Sequence, residues 1–497
     1  MNTNNRQKVK MTSRDEDYSQ WYLDVAKAGN MYMNSPTPGC ITFMPKAVSI
    51  WVKIREEVSK VLQSKGVQDI YLPLLIPMSF LEKEKEHVEG FAPECAIVTH
   101  GGGKQLAEKL VIRPTSETLF CDFFKQQLSS YKDLPLLYNQ WVNVMRWEKR
   151  TRPFLRTTEF YWQEGHTLHE TKTEADEFAL SIHNDVYLKT IRELIAVDGI
   201  AGQKPESEKF AGAMKTYTFE GMMSNGWALQ MATSHLLGQG FMEQFEVKFQ
   251  GSDGNMTYPY YTSWGISTRL LGGMISSHSD DKGLIIPPKL SEYKAVILPI
   301  YGKENQEQID NYIFQLANSG MEQPLEIPVK GKNFTAIVDG LDKILIDKRQ
   351  VKLGEKINDF EVSGFPIRAV VGAKELENRQ ITLVSRITGE TRLVEFEEFG
   401  ESIDEMLYLG QKHLFEKSKE RLVNNVIPAY CFEDIARIVE NKQFAIYDWD
   451  GSEEFEEKLK TELKATIRCI PFPGQFTDDL LEKQDTNNQI IIIARAF

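Results

Sequence analysis

The chain has 497 residues, 41% of them hydrophobic and 26% charged, and a formal net charge of −13. That length exceeds one hydrophobic core and points to two to four domains, while no apolar run approaches the roughly 20 residues that span a bilayer. The acidic balance argues against indiscriminate nucleic-acid binding but leaves room for one specific RNA on a local basic strip.

Residues 1–13 read as a polar tail without the apolar core of a signal peptide, which gives a cytoplasmic expectation. Cys40, Cys95, Cys121, Cys431 and Cys469 lie far apart and read as free thiols. From Asp15 to Ala28, the helical spacing of Trp21, Tyr22 and Val25 gives a short amphipathic helix. A stronger helical pattern covers Met44–Lys65, with Gly66 as its stop, and a strand follows over Val67–Leu72, ending at Pro73. His100-Gly101-Gly102-Gly103-Lys104 lacks the spacing of a phosphate loop and reads as a hairpin tip. Arg113-Pro114-Thr115-Ser116-Glu117 joins a β-run to a helix over Thr118–Leu128. A hydroxyl there is ordinarily a helix cap; the competing role is that Thr115 and Glu117 hold a substrate ammonium.

Gln140–Glu170 reads as an antiparallel hairpin. Alternation puts Val142, Val144, Arg146 and Glu148 on one face of the first arm, and Arg156, Thr158, Phe160, Trp162 and Glu164 on one face of the return arm. Two arginines, two carboxylates and two rings then converge, which suits a guanidinium clamp on an anion beside a ring stacked on a planar base. ATP fits that description; a solvated, salt-bridged hairpin is the alternative.

A helix is expected over Thr171–Ile195, a loop over Gly199–Gly212, and strands around Tyr217–Phe219 and Trp227–Met231. Period two would put Gln230 and Ala232 on one face and Met231 and Thr233 on the other, with a change from strand to loop near Thr233. A lone His235 is ordinarily a satisfied hydrogen-bonding residue. Thr262–Arg269 reads as a strand running into a helix, with Gly265 allowing close approach of a ligand to the backbone. Pro287-Pro288 punctuates a boundary, after which Val296–Pro299, a helix at Asn305–Asn318, and strands near Thr335–Val338, Ile367–Val371 and Ile381–Ser385 alternate in an α/β manner. Between Asp347 and Arg392 nine Lys/Arg face seven Asp/Glu, a small positive excess consistent with either a phosphate-facing strip or a solvated surface. A helix over Glu405–Asn424 leads into the last segment.

Arg146-Trp147-Glu148, a loop and Arg156-x-x-x-Phe160 resemble motif 2 of the class II aminoacyl-tRNA synthetases, and the run Arg152–Thr167 is similar to its prolyl-tRNA synthetase version. Gly66–Leu75 resembles motif 1 and Thr262–Gly273 motif 3, while RPTSE and Gln230–His235 resemble proline-site signatures. The interval 171–229 is too short for the large editing domain that one branch inserts, so the chain resembles the archaeal and eukaryotic branch. The resemblance implies an α/β multidomain protein: a flexible tail (1–13), a class II catalytic domain on an antiparallel sheet flanked by helices (14–290), an α/β anticodon-binding domain (291–402) and a small α+β C-terminal domain (403–497). It implies activation of L-proline with ATP and Mg²⁺ to prolyl-adenylate, then transfer to tRNA(Pro), in a homodimer built through motif 1.

By the same resemblance, Arg146, Arg156 and Arg269 are catalytic; Thr115, Glu117, Arg146, Trp162 and His235 shape the proline pocket. Arg146, Glu148, Arg156, Thr157, Phe160, Gln230, Thr233 and Arg269 serve ATP, with Arg269 lying over the adenine opposite Phe160, and Gln230 reaching Mg²⁺ through the nucleotide. The anticodon-domain pattern places Arg349, Lys356, Glu361 and Arg368 near tRNA. Relatives often carry a cysteine-ligated zinc in the last domain. Here Trp449-Asp450-Gly451 and Phe455 replace the expected thiols, so no structural zinc is expected, and Phe497 stands where relatives often end in tyrosine. A synthetase for another amino acid and a non-catalytic paralogue are the alternatives. The proline signatures weigh against the first, and the intact Arg146, Arg156 and Arg269 against the second.

Overall fold

The computed structural model describes residues 11–83, 95–302, 304–318, 323–329, 333–339, 342–475 and 488–497. Helix α1, Tyr18–Ala28, starts where the Asp17 carboxylate accepts from the backbone N–H groups of Ser19 and Gln20, and it buries Trp21, Tyr22, Val25 and Ala26. Residues 1–10 of the expected tail lie outside the described residues. Thr12 is already held, its N–H and hydroxyl both donating to Asp24, at 3.0 and 2.7 Å. Helix α2, Pro45–Ser64, buries Ala47, Ile50, Ile54, Val58 and Leu62 along one stripe, and Gly66 follows in the left-handed region (φ 83°).

One eleven-stranded sheet positions the site. Its strands in chain order are β1 (Gln68–Asp69), β2 (Leu136–Met145), β3 (Glu159–His169), β4 (Gly199–Gln203), β5 (Lys215–Met222), β6 (Ala228–Gly238), β7 (Tyr260–Ser267), β8 (Val426–Pro428), β9 (Phe444–Trp449), β10 (Thr466–Pro471) and β11 (Gln489–Ala494). Their spatial order is β8-β9-β11-β10-β4-β5-β6-β7-β3-β2-β1. Pairing is antiparallel except for β8 with β9 and β1 with β2. The last segment of the chain thus continues the same sheet, because β10 pairs with β4 through Ile470 opposite Gln203. A three-stranded sheet (Leu75–Pro77, Lys104–Ile112, Ala96–Gly101) carries the expected hairpin tip, and helix α3, Glu117–Gln127, follows RPTSE. Helix α4, Arg269–His278, leaves β7 and is buried along its length.

Beyond Pro288 a separate seven-stranded mixed sheet forms, in the order Leu325–Val329, Phe334–Asp339, Asp342–Asp347, Ala295–Pro299, Ile367–Val371, Gln380–Ser385, Thr391–Glu395. Arg386 of that unit grips the first unit, its Nη1 and Nη2 meeting the two Asp280 oxygens at 2.9 and 2.6 Å. Helix α5, Phe399–Asn424, then returns to the first unit.

Four expectations are corrected. The strand expected over Val67–Leu72 keeps ladder pairing only at Gln68–Asp69, and Leu72 N–H is satisfied by the Gln140 side chain instead. The loop expected over Gly199–Gly212 begins as strand β4. Its glycines hide the strand pattern, yet a side chain at Gly199 or Gly202 would overlap Glu220 or Ile470 backbone on the neighbouring strands. β6 runs on to Gly238 rather than breaking near Thr233, because β7 supplies a second partner there. Finally, α5 starts six residues before the Glu405 expected.

Candidate active site

The register of β5, β6, β7, β3 and β2 lays the pocket floor out in transverse rows. Thr216, His235, Ser263 and His166 are successive partners across four strands. Two residues along, Thr218, Thr233, Gly265, Glu164 and Gln140 form the next row. A third pairs Ser267 with Trp162 and Trp162 with Val142; Phe160 opposite Val144 follows. With period-two alternation, these rows share one face. Gly265 sits at the centre without a side chain, so the cavity of about 280 Å³ opens above it.

A bulge completes that face. Phe219 pairs with Ala232 but the next residue, Glu220, pairs with Gln230, leaving Met231 unpaired. The extra residue shifts the alternation, so Gln230, Thr233 and His235 all line the cavity. Strict period two had put Gln230 and Thr233 on opposite faces; this is a further correction.

At one end of the cavity the side chains are carboxylates and hydroxyls. Thr115 donates to Glu117 at 2.5 Å. Ser116, at the helix N-terminus, makes no side-chain cap bond and donates to Glu164 instead, while Gln140 Nε2 donates to the same oxygen at 2.6 Å. The second Glu164 oxygen meets His166 Nε2 at 3.0 Å, and His166 Nδ1 meets Tyr261 Oη at 2.6 Å under the stacked ring of Phe120. His235 bonds Thr216 through Nδ1 at 2.9 Å and packs on Phe210 at 4.7 Å between ring centroids. Burial pulls the His235 imidazole down to about 4, against the opposing field of Glu117, so it is neutral at ordinary pH. The buried Ser263 hydroxyl and the Trp162 indole N–H have no hydrogen-bond partner among the described residues, which leaves two polar groups for a ligand.

The other end is cationic. Arg146 donates from Nε to Pro114 O at 3.0 Å, and its guanidinium lies 5.6 Å from the Phe160 ring centroid and 5.4 Å from that of Trp162. Arg269 donates to the backbone carbonyls of Leu155 and Gln230 at 3.3 and 3.4 Å. Burial, then the like charges of Arg156 and Arg146, lower it to about 10. Arg146 and Arg269 in the cavity, with the like charge of Arg156 nearby, form an end suited to receive an anion.

Of the residues expected in the site, Thr115, Glu117, Arg146, Phe160, Trp162, Gln230, Thr233, His235 and Arg269 line this cavity. Arg156 and Glu148 stand outside its wall as a 3.5 Å ion pair with the arginine half exposed. Thr157 does not line it: the hydroxyl donates to Glu159 O, and the residue borders a separate cavity with Gly39 and Cys40. In the other unit, Lys356, expected near tRNA, is buried and donates to the carbonyls of Pro299 and Asp347. Arg349 is clamped by Asp347 and Asp359, and Arg368 lies 3.7 Å from Glu361. Glu164, placed on the shared hairpin face by its spacing, is joined here by His166 and Ser263, to which the sequence reading gives no role although the alternation from Glu164 and Gly265 points to them. Phe210, on the turn before β5, carries no sequence signal.

Cys431 is exposed and Cys469 buried, and among the described residues no group of three or more His, Cys, Asp or Glu is arranged around a metal position. The terminal segment lies against the start of β6: Ala228 N–H donates to Arg495 O at 2.7 Å, and the Phe497 ring packs on Trp227 at 5.1 Å with the Arg152 guanidinium over it.

Three family descriptions match: the tRNA synthetase class II core domain (G, H, P, S and T) over residues 100–278, an anticodon binding domain over 339–406, and the prolyl-tRNA synthetase C-terminal domain over 432–496. The chain is 43% identical to the proline–tRNA ligase of Chloroherpeton thalassium over 497 residues, 98% of this chain and 99% of the relative. It is 43% identical to that of Chlorobaculum tepidum over 468 residues (94% and 93%), and 41% identical to that of Porphyromonas gingivalis over 503 residues (98% and 99%). With nine of its expected site residues lining one cavity and this likeness running nearly end to end, the chain belongs to the prolyl-tRNA synthetase family.

Proposed function

We propose that this protein activates L-proline with ATP and transfers the prolyl group to the 3′ end of tRNA(Pro). The observation that carries the reading is the polarity of one cavity, with Thr115, Glu117 and Glu164 at one end and Arg146 and Arg269 at the other. A secondary ammonium suits the carboxylate end, and its carboxylate then points towards the cations that receive the triphosphate. A proline carboxylate oxygen attacks the α-phosphorus, the bond to the bridging oxygen breaks, and pyrophosphate leaves. The ribose hydroxyl of tRNA then attacks the prolyl carbonyl and AMP departs. Neither step needs a protein nucleophile; positioning and charge stabilisation supply the rate.

Arg146 bridges the proline carboxylate and the α-phosphate, Arg156 beside the cavity attends the ATP, and Phe160 and Arg269 flank the adenine. Thr115, Glu117, Trp162 and His235 shape the proline pocket, and Thr233 borders the nucleotide. Mg²⁺ held mainly by substrate phosphates needs only one or two protein oxygens, and Glu148 and Gln230 are the donors that fit. When bound, the metal offsets phosphate charge.

The division at 290/291 and 402/403 is proposed for the domains, and tRNA approaches the unit bearing Arg349, Glu361 and Arg368. Exposed Val48 and Val52 on α2, with Tyr71, Leu74 and Ile97 nearby in the chain, support a homodimer through this region. A cytoplasmic location goes with that function; among the described residues no helix is long and apolar enough to cross a membrane. Amino-acid-dependent ATP–pyrophosphate exchange tests the reading, with proline against threonine, serine, alanine and cysteine. Strongest exchange with another amino acid overturns the pocket, and none with any in folded protein overturns the reaction.

A further inference from the structure

Behind the nucleotide end of the cavity lies a charged cluster that the reaction does not use. Glu220 of β5 is fully buried and both of its oxygens are occupied. Oε1 accepts from Lys204 Nζ at 2.7 Å and from Thr218 Oγ1 at 2.8 Å. Oε2 accepts from Arg468, Nη2 at 2.8 Å and Nε at 3.1 Å. Lys204 and Arg468 are themselves buried. Burial alone would raise the Glu220 carboxyl, but Arg468 and Lys204 hold it at about 2.

Three features tie this cluster to the site. Arg468 comes from β10, in the last hundred residues, at a bulge between Ile467 and Cys469, whereas Glu220 belongs to β5. Glu220 is the residue at which the β5–β6 register slips, directly opposite Gln230. The Gln230 carbonyl in turn accepts from Arg269 Nη1. A bond chain therefore runs Arg468, Glu220, the bulge, Gln230, Arg269.

We propose that Arg468 is a positioning residue for adenylate formation: through Glu220 it fixes the β6 bulge, and so the placement of Gln230 and Arg269 against ATP. The small C-terminal unit then acts in the first half-reaction without touching substrate. A bulge is a two-versus-one mismatch with neighbouring registers within reach, and a buried ion pair is suited to specifying one of them. The proline end is anchored separately, through Glu164, His166 and Tyr261, so the effect falls on the nucleotide.

The inference rests on the function proposed above. Its test compares wild type, Arg468→Lys, Arg468→Met and the triple Lys204→Met/Glu220→Met/Arg468→Met, which removes all three charges at similar volume. Each folded variant, checked by circular dichroism and melting, is assayed for ATP binding by calorimetry and for exchange with ATP and proline varied in turn. Arg468→Met or the triple should raise the ATP KM or lower kcat roughly tenfold with the proline KM within about twofold, and Arg468→Lys should recover part of the loss. If Arg468→Met does not fold, the triple variant decides. ATP affinity and exchange unchanged in a folded triple variant, or proline and ATP parameters altered together, would overturn the proposal. Absence of exchange in wild type would instead refute the underlying function.

Discussion

Replacing Arg146 by lysine separates charge from geometry. The guanidinium is fixed before any ligand arrives, by the 3.0 Å bond to Pro114 O and by the faces of Phe160 and Trp162 at 5.6 and 5.4 Å. Lysine keeps the cation but loses the fork and the planar stacking. If two charge-assisted bonds form in the transition state, at roughly 1.5–3 kcal/mol each, Arg146→Ala forfeits both, about two to four powers of ten in kcat/KM. Arg146→Lys retains one point contact and should lose about ten- to a hundredfold. Both variants should melt close to wild type, because the side chain is only half-buried and a polar cavity takes up the space. The assay is proline-dependent pyrophosphate exchange at saturating Mg²⁺. Exchange within threefold of wild type in Arg146→Ala, or equal losses in the two variants, would refute the geometric argument.

Glu117→Gln removes the carboxylate that Thr115 braces while preserving its shape, so the proline KM should rise at least about tenfold with the ATP KM little changed; equal effects on both sink its place in the amine pocket. His169 and His235 are held at about 4 and His278 at about 3, all chiefly by burial. These groups are depressed below the unfolded 6.5, so their stabilisation is complete above pH 6.5 and is lost as pH falls towards 4, at most about 2 kcal/mol each at pH 5. His278→Gln, whose parent ring bonds Ile195 O at 2.7 Å, should take up about one proton fewer on unfolding at pH 5.5; an unchanged uptake refutes the buried neutral state. A methyl group at Gly165 would overlap the buried Trp264 ring, so Gly165→Ala should cost about 1–3 kcal/mol and lower the melting temperature; an unaltered melting curve would show that the ring yields.

Much of this site was legible because strand periodicity is strict. Phe160, Trp162 and Glu164 fall on one face by counting, and the partners of β3 across β7 follow the same count. What escaped notice depends on non-local pairing. Nothing in the run Ala228–His235 reveals that Met231 is unpaired, since the mismatch exists only against Phe219 and Glu220. For the same reason β4 looked like loop: Gly199 and Gly202 are demanded by strands β5 and β10, the second of which lies more than 250 residues further on. Burial is equally non-local at Lys356, because a lysine in a basic stretch gives no sign of being buried on two carbonyl groups.

Joining the C-terminal strands to the catalytic sheet changes what that last unit is for. A zinc site holds a small domain together from within, by ligands close in space. Here Cys469 is a buried thiol pushed up to about 12 by burial and the nearby Glu220 carboxylate, a poor metal ligand, and it lies beside the ion pair that crosses to β5. The strand that carries it is hydrogen-bonded to β4 on one side and β11 on the other, with its own apolar cluster of Ile435, Ile438, Trp449, Ile467 and Ile491. Sheet continuity, that cluster and the Glu220 bond hold the unit to the catalytic sheet. The terminal residues add a second tie at Ala228, where β6 begins. The first tie ends on β5 at Glu220, opposite Gln230, and the second on β6 itself, the strand that carries Gln230, Thr233 and His235, so loss of the C-terminal unit should disturb the cavity before it disturbs the rest of the fold.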